Sequence, residues 1–358
     1  MLSGCAVRPV GPGRAGTPGA TAQSAAPAAS QTAGTPTRAP AAPSQRFTVS
    51  FAGDVHFMER TARRLAANPA TVFDQAEPGL AAADLTMVNL ETAITTRGTP
   101  QAKEFHFRTD PTALTALRDA GVDVATEANN HAVDFGDVGL ADTLHAIKAS
   151  GFPVIGVGAN ADAAFKPYTT TINGARIAVF AADQVQDETT LSLFSAGAGE
   201  PGVANARQDA PRLIAAVRAA AKAGYVTIVY LHWGTENSSC MDADQQTLAT
   251  QLARAGAAAV VGSHAHVIQG SGWLPNGTYV DYGLGNFLWW EEGPPNQNDT
   301  GVLTLTFDRG KVVAARFAPA RIGATGVAAP VHGAEATRIN GLRAAATACS
   351  DLSPTRPS

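Results

Sequence analysis

The sequence predicts an α/β fold, and three observations carry that expectation. Short apolar runs alternate with helical stretches over the first two thirds of the chain, while two-residue turn signals mark the last third. No apolar run is long enough to cross a membrane, and no internal repeat is visible. Strand–helix alternation predicts a parallel sheet covered by helices, and the turns predict antiparallel additions. With 358 residues, 45% of them hydrophobic, the chain can bury a full core, and one domain plus tails fits that length.

The first expected strand, residues 46–52, shows partial alternation and stops at Gly53, directly before Asp54-Val55-His56. Helical spacing marks 58–68 and about 74–83. A strand over 85–89 leads into Leu90-Glu91-Thr92, and Thr109-Asp110-Pro111 opens a helix through residue 120 with proline in its first turn. Residues 122–126 form a strand ending in Glu127-Ala128-Asn129-Asn130-His131. A helix over 137–150 is stopped by Gly151, and a strand follows over 153–157.

Asn173-Gly174 is a hairpin signal between strands 168–172 and 176–181. A helix over 210–223 precedes the buried strand 226–231, which ends at His232-Trp233-Gly234-Thr235-Glu236. The helix 243–255 then leads to strand 257–261, broken by Gly262 ahead of Ser263-His264-Ala265-His266. Asn276-Gly277 and Asp308-Arg309-Gly310 mark two further hairpins. Residues 334–348 read as a C-terminal helix, with loose residues after it.

These strand ends share a chemistry. Asp54 and His56, Asn89 and Glu91, Asn130 and His131, His232, and finally His264 and His266 each follow an apolar run. Five of the eight histidines are placed this way. A parallel sheet gathers the carboxyl ends of its strands on one edge, so residues distant in sequence can converge there. A single histidine so placed is more often a hydrogen-bonded core residue; five placed alike point to a shared site. Mixed carboxylate, amide and imidazole donors without thiolate suit one or two divalent ions, Mn, Fe or Zn rather than Mg or Ca. Two such ions roughly 3.5–4 Å apart activate water and steady charge on a phosphoryl or acyl centre.

Net charge is −4, which excludes the basic footprint of a nucleic-acid binder. Leu2-Ser3-Gly4-Cys5 resembles a bacterial lipobox, although no charged and apolar region precedes it. Residues 6–45 are rich in Ala, Pro, Thr, Gly and Ser and too poor in large apolar groups to fold. The expected organisation is a tether over 1–45, lipidated at Cys5 or a plain disordered tail, then a folded domain over 46–322 and a C-terminal helix and tail over 323–358. In an exported protein Cys240 and Cys349 would form a disulfide, and in a cytosolic one two free thiols.

The ordered motifs GDVHF, NLET, ANNHAVDFG, LHWGTE, VGSHAH and GLGNF resemble the CapA family of capsule-synthesis (poly-γ-glutamate biosynthesis) proteins, related to calcineurin-like metallophosphoesterases. The resemblance covers about residues 46–322. It implies a metallophosphoesterase-like α/β/β/α sandwich with two central mixed sheets. It implies a bacterial envelope protein on the outer face of the membrane, working on an anionic polymer such as poly-γ-glutamate, on other capsular material or on a phosphoester, alongside other capsule-synthesis proteins. By the same resemblance Asp54 and His56 match the first metal pair, Asn130 a metal-binding amide, and His131 the histidine that stabilises or protonates the leaving group. His232, His264 and His266 match the remaining metal imidazoles. The second motif departs from the superfamily: Asn89-Leu90-Glu91 stands where a bridging aspartate is usual, so Glu91 becomes the bridging candidate.

Three residues are expected at the margins of the site. Glu236 would orient His232 or a water, or be a plain surface carboxylate; Arg108 would grip a carboxylate or phosphate, or form a structural ion pair; and Asn286 would shape an adjacent loop. Trp233 and the Trp289-Trp290 pair line a cleft or fill the core. The expected chemistry is attack of an activated water on a phosphoester or amide, with His131 as general acid. A non-catalytic polymer-binding factor and a general surface phosphoesterase are the rival readings.

Overall fold

The computed structural model describes residues 45–185 and 188–357; the lipobox-like start with Cys5, up to residue 44, lies outside the described residues. Two mixed sheets lie at the centre. The first runs, edge to edge, Ala328–Pro330, Lys311–Ile322, Asp299–Asp308, Arg46–Val55, Leu85–Leu90, Val124–Thr126 and Val154–Ile155, with Asn286–Leu288 also paired to Arg46–Val55. The second runs Ser271–Trp273, Tyr279–Asp281, Ala257–His264, Val226–Trp233, Ala175–Asp183 and Tyr168–Ile172.

Period-two alternation sorts side chains between the layers. From Arg46–Val55, Phe47, Val49 and Phe51 enter the core between the sheets, where they meet Val226, Ile228 and Tyr230 of the second sheet. Ala52 and Val55 turn outward, towards Leu114 and Leu117 of the helix Thr112–Asp119. Val229, Leu231 and Trp233 turn the other way, under Leu213 and Val217 of Ala206–Lys222 and Leu248 and Leu252 of Ala243–Ala255. The result is an α/β/β/α sandwich with one core between the sheets and one under each helical layer. Full burial of one such side chain contributes about 1.5–3 kcal/mol. Tyr230 Oη also donates to the Ala52 carbonyl at 2.8 Å, pinning one sheet to the other two residues before Asp54.

Local signals set the helix limits. Asp242 caps Ala243–Ala255 by accepting from Gln245 N–H at 2.9 Å, Gln245 Oε1 accepts from Asp242 N–H, and Gly256 ends the helix at φ 104°. The helix expected from residue 210 begins earlier, as Ala206–Lys222, because the Asn205 side chain caps Arg207 and Gln208. It is kinked where Asp209 leaves helical geometry ahead of Pro211. The helix expected over 74–83 shrinks to Glu77–Leu80, with Pro78 and Gly79 in its single turn. Helix Glu188–Phe194 was not expected. The last residues are not loose: Leu352 is buried, and Ser353 exchanges two main-chain hydrogen bonds with Trp273. Cys240 and Cys349 are joined by a disulfide. Among the described residues no helix is long and apolar enough to cross a membrane.

Candidate metal centre

The parallel pairings bring the predicted strand ends to one rim. Asp54 lies beside Asn89 in the first sheet, and His232 lies beside Ser263 in the second. The fold therefore places Asp54, Asn89, Glu91, His232 and His264, all buried, along facing edges of the two sheets.

Hydrogen bonds tie these side chains into one network. Asn89 Nδ2 donates to Asp54 Oδ1 at 2.7 Å and lies 3.1 Å from His232 Nδ1. The His264 main-chain N–H donates to Asp54 Oδ2 at 3.1 Å. His232 Nε2 lies 2.9 Å from Asn130 Oδ1, 3.1 Å from His264 Nδ1 and 3.4 Å from Glu91 Oε1. His266 Nδ1 lies 2.9 Å from Asn286 Oδ1 and 3.5 Å from Asp54 Oδ2. His264 and His266 adopt positive φ, 93° and 57°. Such conformations cost on the order of 1–3 kcal/mol each and persist only where surroundings hold them. Here Asp54 holds the His264 N–H, and Asn237 N–H donates to the Ala265 carbonyl between the two histidines.

Two groups test whether this set fits a cation. Both carboxylate oxygens of Glu91 and both ring nitrogens of His56 are buried without a hydrogen-bond partner. A buried donor or acceptor left unmade is costly, so these two groups, both beside His266, call for a further ligand. One donor atom each from Glu91, His264 and His266 lies within 4.8 Å of the others, close enough to share one ion. Carboxylate and imidazole are donors that divalent metals accept. The residues present fit a divalent cation.

The electrostatics agree. Burial, reinforced by Asp54, holds the Glu91 carboxyl well above the usual range, with His266 working against that rise. Burial opposes charge on Asp54, but His266, His232 and Asn89 outweigh it and keep the carboxylate ionised. Burial lowers His56, His232 and His264, which leaves their nitrogens uncharged as ligation requires. Burial also works against charge on His266, yet Glu91 and Asp54 push it up to about 9.

His131 lies at the edge of this set, its Nε2 3.8 Å from Glu91 Oε1. Its Nδ1 lies 2.7 Å from Asp134 Oδ2, and its ring stacks on Phe107 with centroids 4.0 Å apart. Burial, then Lys103, holds this imidazole well below its usual range, so it rests uncharged. At rest it is a proton acceptor and has no proton to give as a cationic acid.

The marginal candidates separate. Asn286 is buried against His266, on a short strand beside Asp54 and not on a loop. Glu236 is exposed, on the loop after His232, and its charge is a minor influence on Glu91, His232 and His266. Arg108 is not with the donor set: its guanidinium lies over the Phe135 ring at 4.3 Å. Along a strand the side chain after Phe107 faces away from it. Trp233 belongs to the core under the helices, with Nε1 donating to the Tyr282 carbonyl. Trp289 walls the site, 4.3 Å from His56 and 4.7 Å from His266 between ring centroids.

Sequence reasoning missed several participants. Asn129 donates to Asn89 Oδ1 and accepts from His131 N–H, and thus aligns two motifs. Asp134 carried a readable signal, since it stands three residues after His131. Lys103 had none, because its segment shows no periodicity and contains no familiar spacing.

Fold and site together define an α/β/β/α protein with a carboxylate–imidazole centre between its sheets. The chain belongs to the bacterial capsule synthesis protein PGA_cap family, whose model matches residues 48–289. It is 30% identical to the PGA biosynthesis protein CapA of Bacillus subtilis over 263 residues, 72% of this chain and 67% of that one. It is 26% identical to the capsule biosynthesis protein CapA of Bacillus anthracis over 271 residues, 72% of this chain and 63% of that one. Among solved structures, a phosphatase from Mycoplasma pneumoniae aligns at TM-score 0.46 and 15% identity, over 76% of this chain and 93% of that one.

Proposed function

We propose that this protein serves capsule or poly-γ-glutamate biosynthesis at the bacterial cell envelope, through a metal-dependent hydrolase site. The observation that carries the reading is the pair of orphaned groups, Glu91 and His56, beside His264 and His266. Asp54, His56, Glu91, Asn130, His232, His264 and His266 would hold one or two divalent cations. A cation held there supplies Lewis acidity at a phosphoryl or acyl oxygen and makes water a better nucleophile at neutral pH. His131, uncharged at rest, takes a proton at Nε2 and can return it to a leaving group. Trp289 and Phe107 exclude water from the adjoining wall.

The polymer itself, or a phosphoester met during its synthesis, is the substrate in this reading. Other capsule-synthesis proteins are partners, nucleic acid is not, and a lipid on Cys5 anchors the chain to the membrane. Metal analysis of freshly purified protein, followed by a panel of phosphodiester and γ-glutamyl substrates, tests it. Hydrolysis should require the cation and fall at least about a hundredfold in Asp54→Asn. Full activity after chelation sinks the reading.

One observation favours a second reading, a polymer-binding factor without catalysis. The Asn89 amide occupies the place of a bridging carboxylate and is spent on Asp54. Poly-γ-glutamate binding that survives both chelation and His131→Ala would favour that alternative.

A further inference from the structure

Lys103 is separated from every donor motif in sequence, yet its ammonium is the hub behind His131. Nζ donates to the Asn130 carbonyl at 2.6 Å and to Asp134 Oδ1 at 2.7 Å; its 3.2 Å approach to His131 Nδ1 is no hydrogen bond once Nδ1 carries the proton, since an ammonium cannot accept. The lysine side chain is only 14% exposed and the Asp134 side chain is fully buried. The other Asp134 oxygen, Oδ2, accepts from Phe107 N–H at 2.6 Å and lies 2.7 Å from His131 Nδ1. Gln101 N–H donates to the Asp134 carbonyl, so the segment carrying Lys103 is itself tied to this residue.

We propose that Lys103 is the positioning residue of the centre: by pairing with Asp134 and the Asn130 carbonyl it fixes His131 as the Nδ1–H tautomer with Nε2 turned to Glu91. The inference rests on the reading of His131 as the proton-transferring group. The physical reason is charge balance. Burial pushes the Asp134 carboxyl up to about 6, and Lys103 is the main influence opposing that rise. Without the ammonium, a carboxyl in this position takes up a proton and donates to Nδ1 instead of accepting from it. The imidazole proton then moves to Nε2, where it blocks the lone pair needed for proton transfer. The same ammonium holds the Asn130 main chain, so one cation sets both the metal-facing amide and the neighbouring imidazole.

The test compares wild type with Lys103→Met, and with Lys103→Gln should the first variant fail to fold. Imidazole nitrogen NMR of the protein, with and without zinc, reads the His131 tautomer. Wild type should show Nδ1–H and the variant Nε2–H. In metal-loaded protein kcat should fall about tenfold or more while KM stays within about twofold, the pattern of a lost proton-transfer geometry. Added propylammonium should restore part of the kcat of Lys103→Ala. An unchanged tautomer or an unchanged kcat in the folded variant overturns the inference. Absence of hydrolysis by wild type would instead remove the proposed function, and the NMR readout would still decide the part played by Lys103.

Discussion

Gly53 and Gly285 touch main chain to main chain: a β-carbon at Gly53 would lie 1.8 Å from the Gly285 carbonyl oxygen. The same oxygen accepts from Asp54 N–H at 3.0 Å. This close approach sets Asp54 level with Asn286, and through them aligns the carboxylate with the amide that holds His266. Gly53→Ala should therefore push the two strands apart. The expected cost is about 1–3 kcal/mol, in the range of core overpacking, together with loss of bound metal. Gly199→Ala, where nothing lies within 4 Å of the added atom, is the control. Denaturant unfolding and metal analysis read both effects; equal stability of the two variants would disprove the packing argument.

Cation binding should release protons. In the cation-free protein burial favours the protonated form of Glu91, and the neighbouring carboxylates favour charged His266 up to about 9, so the pair holds a proton that ligation must displace. Apparent metal affinity should thus rise with pH until about 9. The His266 charge has the opposite effect on the cation-free fold. Its folded-state value lies above the ordinary 6.5, so its contribution to stability is complete below 6.5 and disappears as pH rises through about 9. Calorimetric titrations in buffers of different ionisation enthalpy count the released protons. Affinity independent of pH would remove the assignment of Glu91 and His266 as ligands.

A buried ion pair ties the C-terminal helix Gly333–Thr347 to the second sheet. Arg343 Nη2 donates to Asp281 Oδ2, and its guanidinium lies 4.2 Å from the Phe317 ring centre. Burial raises the Asp281 carboxyl, with Arg343 working against that rise. Arg343→Met leaves this carboxylate without its cation and should cost about 3–5 kcal/mol in urea unfolding. Adding Asp281→Leu should recover part of the loss, because the uncompensated charge goes with it. A double variant less stable than the single would contradict this account.

The strands that position the donors were legible because each is a short apolar run closed by a polar motif. Residues 226–231 and 257–261 were found on those grounds, although both strands continue through their histidines, to Trp233 and His264. Asp299–Asp308 and Lys311–Ile322 were visible only by the turn between them: the first opens on buried Asp299, Thr300 and Gly301 in place of an apolar run, and half-buried positions along the second blur its alternation. Donor residues were easier to find than the groups that orient them. Asp54 and His232 stand beside glycine and apolar landmarks, whereas Lys103 reaches His131 from a segment with no pattern at all. Residue type left Arg108 open between anion binding and an ion pair, and could not show that its guanidinium lies over Phe135.

The disulfide joins two parts of the structure that matter differently for stability and for the site. Cys240 and Cys349 are 109 residues apart, and closing so long a loop in the unfolded chain should contribute about 2–5 kcal/mol. The Cys240 end continues the loop that follows His232, where Gln269 Nε2 donates to the Ser238 carbonyl and Asn237 N–H donates to the Ala265 carbonyl. The Cys349 end closes the C-terminal helix, whose Thr347 Oγ1 donates to the Ser271 carbonyl. These hydrogen bonds hold each end independently of the sulfurs, so the native geometry of the centre should outlast reduction. Reductant, or the paired change Cys240→Ser with Cys349→Ser, should lower the thermal midpoint while metal stoichiometry at room temperature stays unchanged. Thermal unfolding with and without reductant, run beside metal analysis, checks both halves. Loss of metal on reduction below the unfolding temperature would mean that the disulfide, and not the Asn237 and Gln269 contacts, holds the loop after His232 in place.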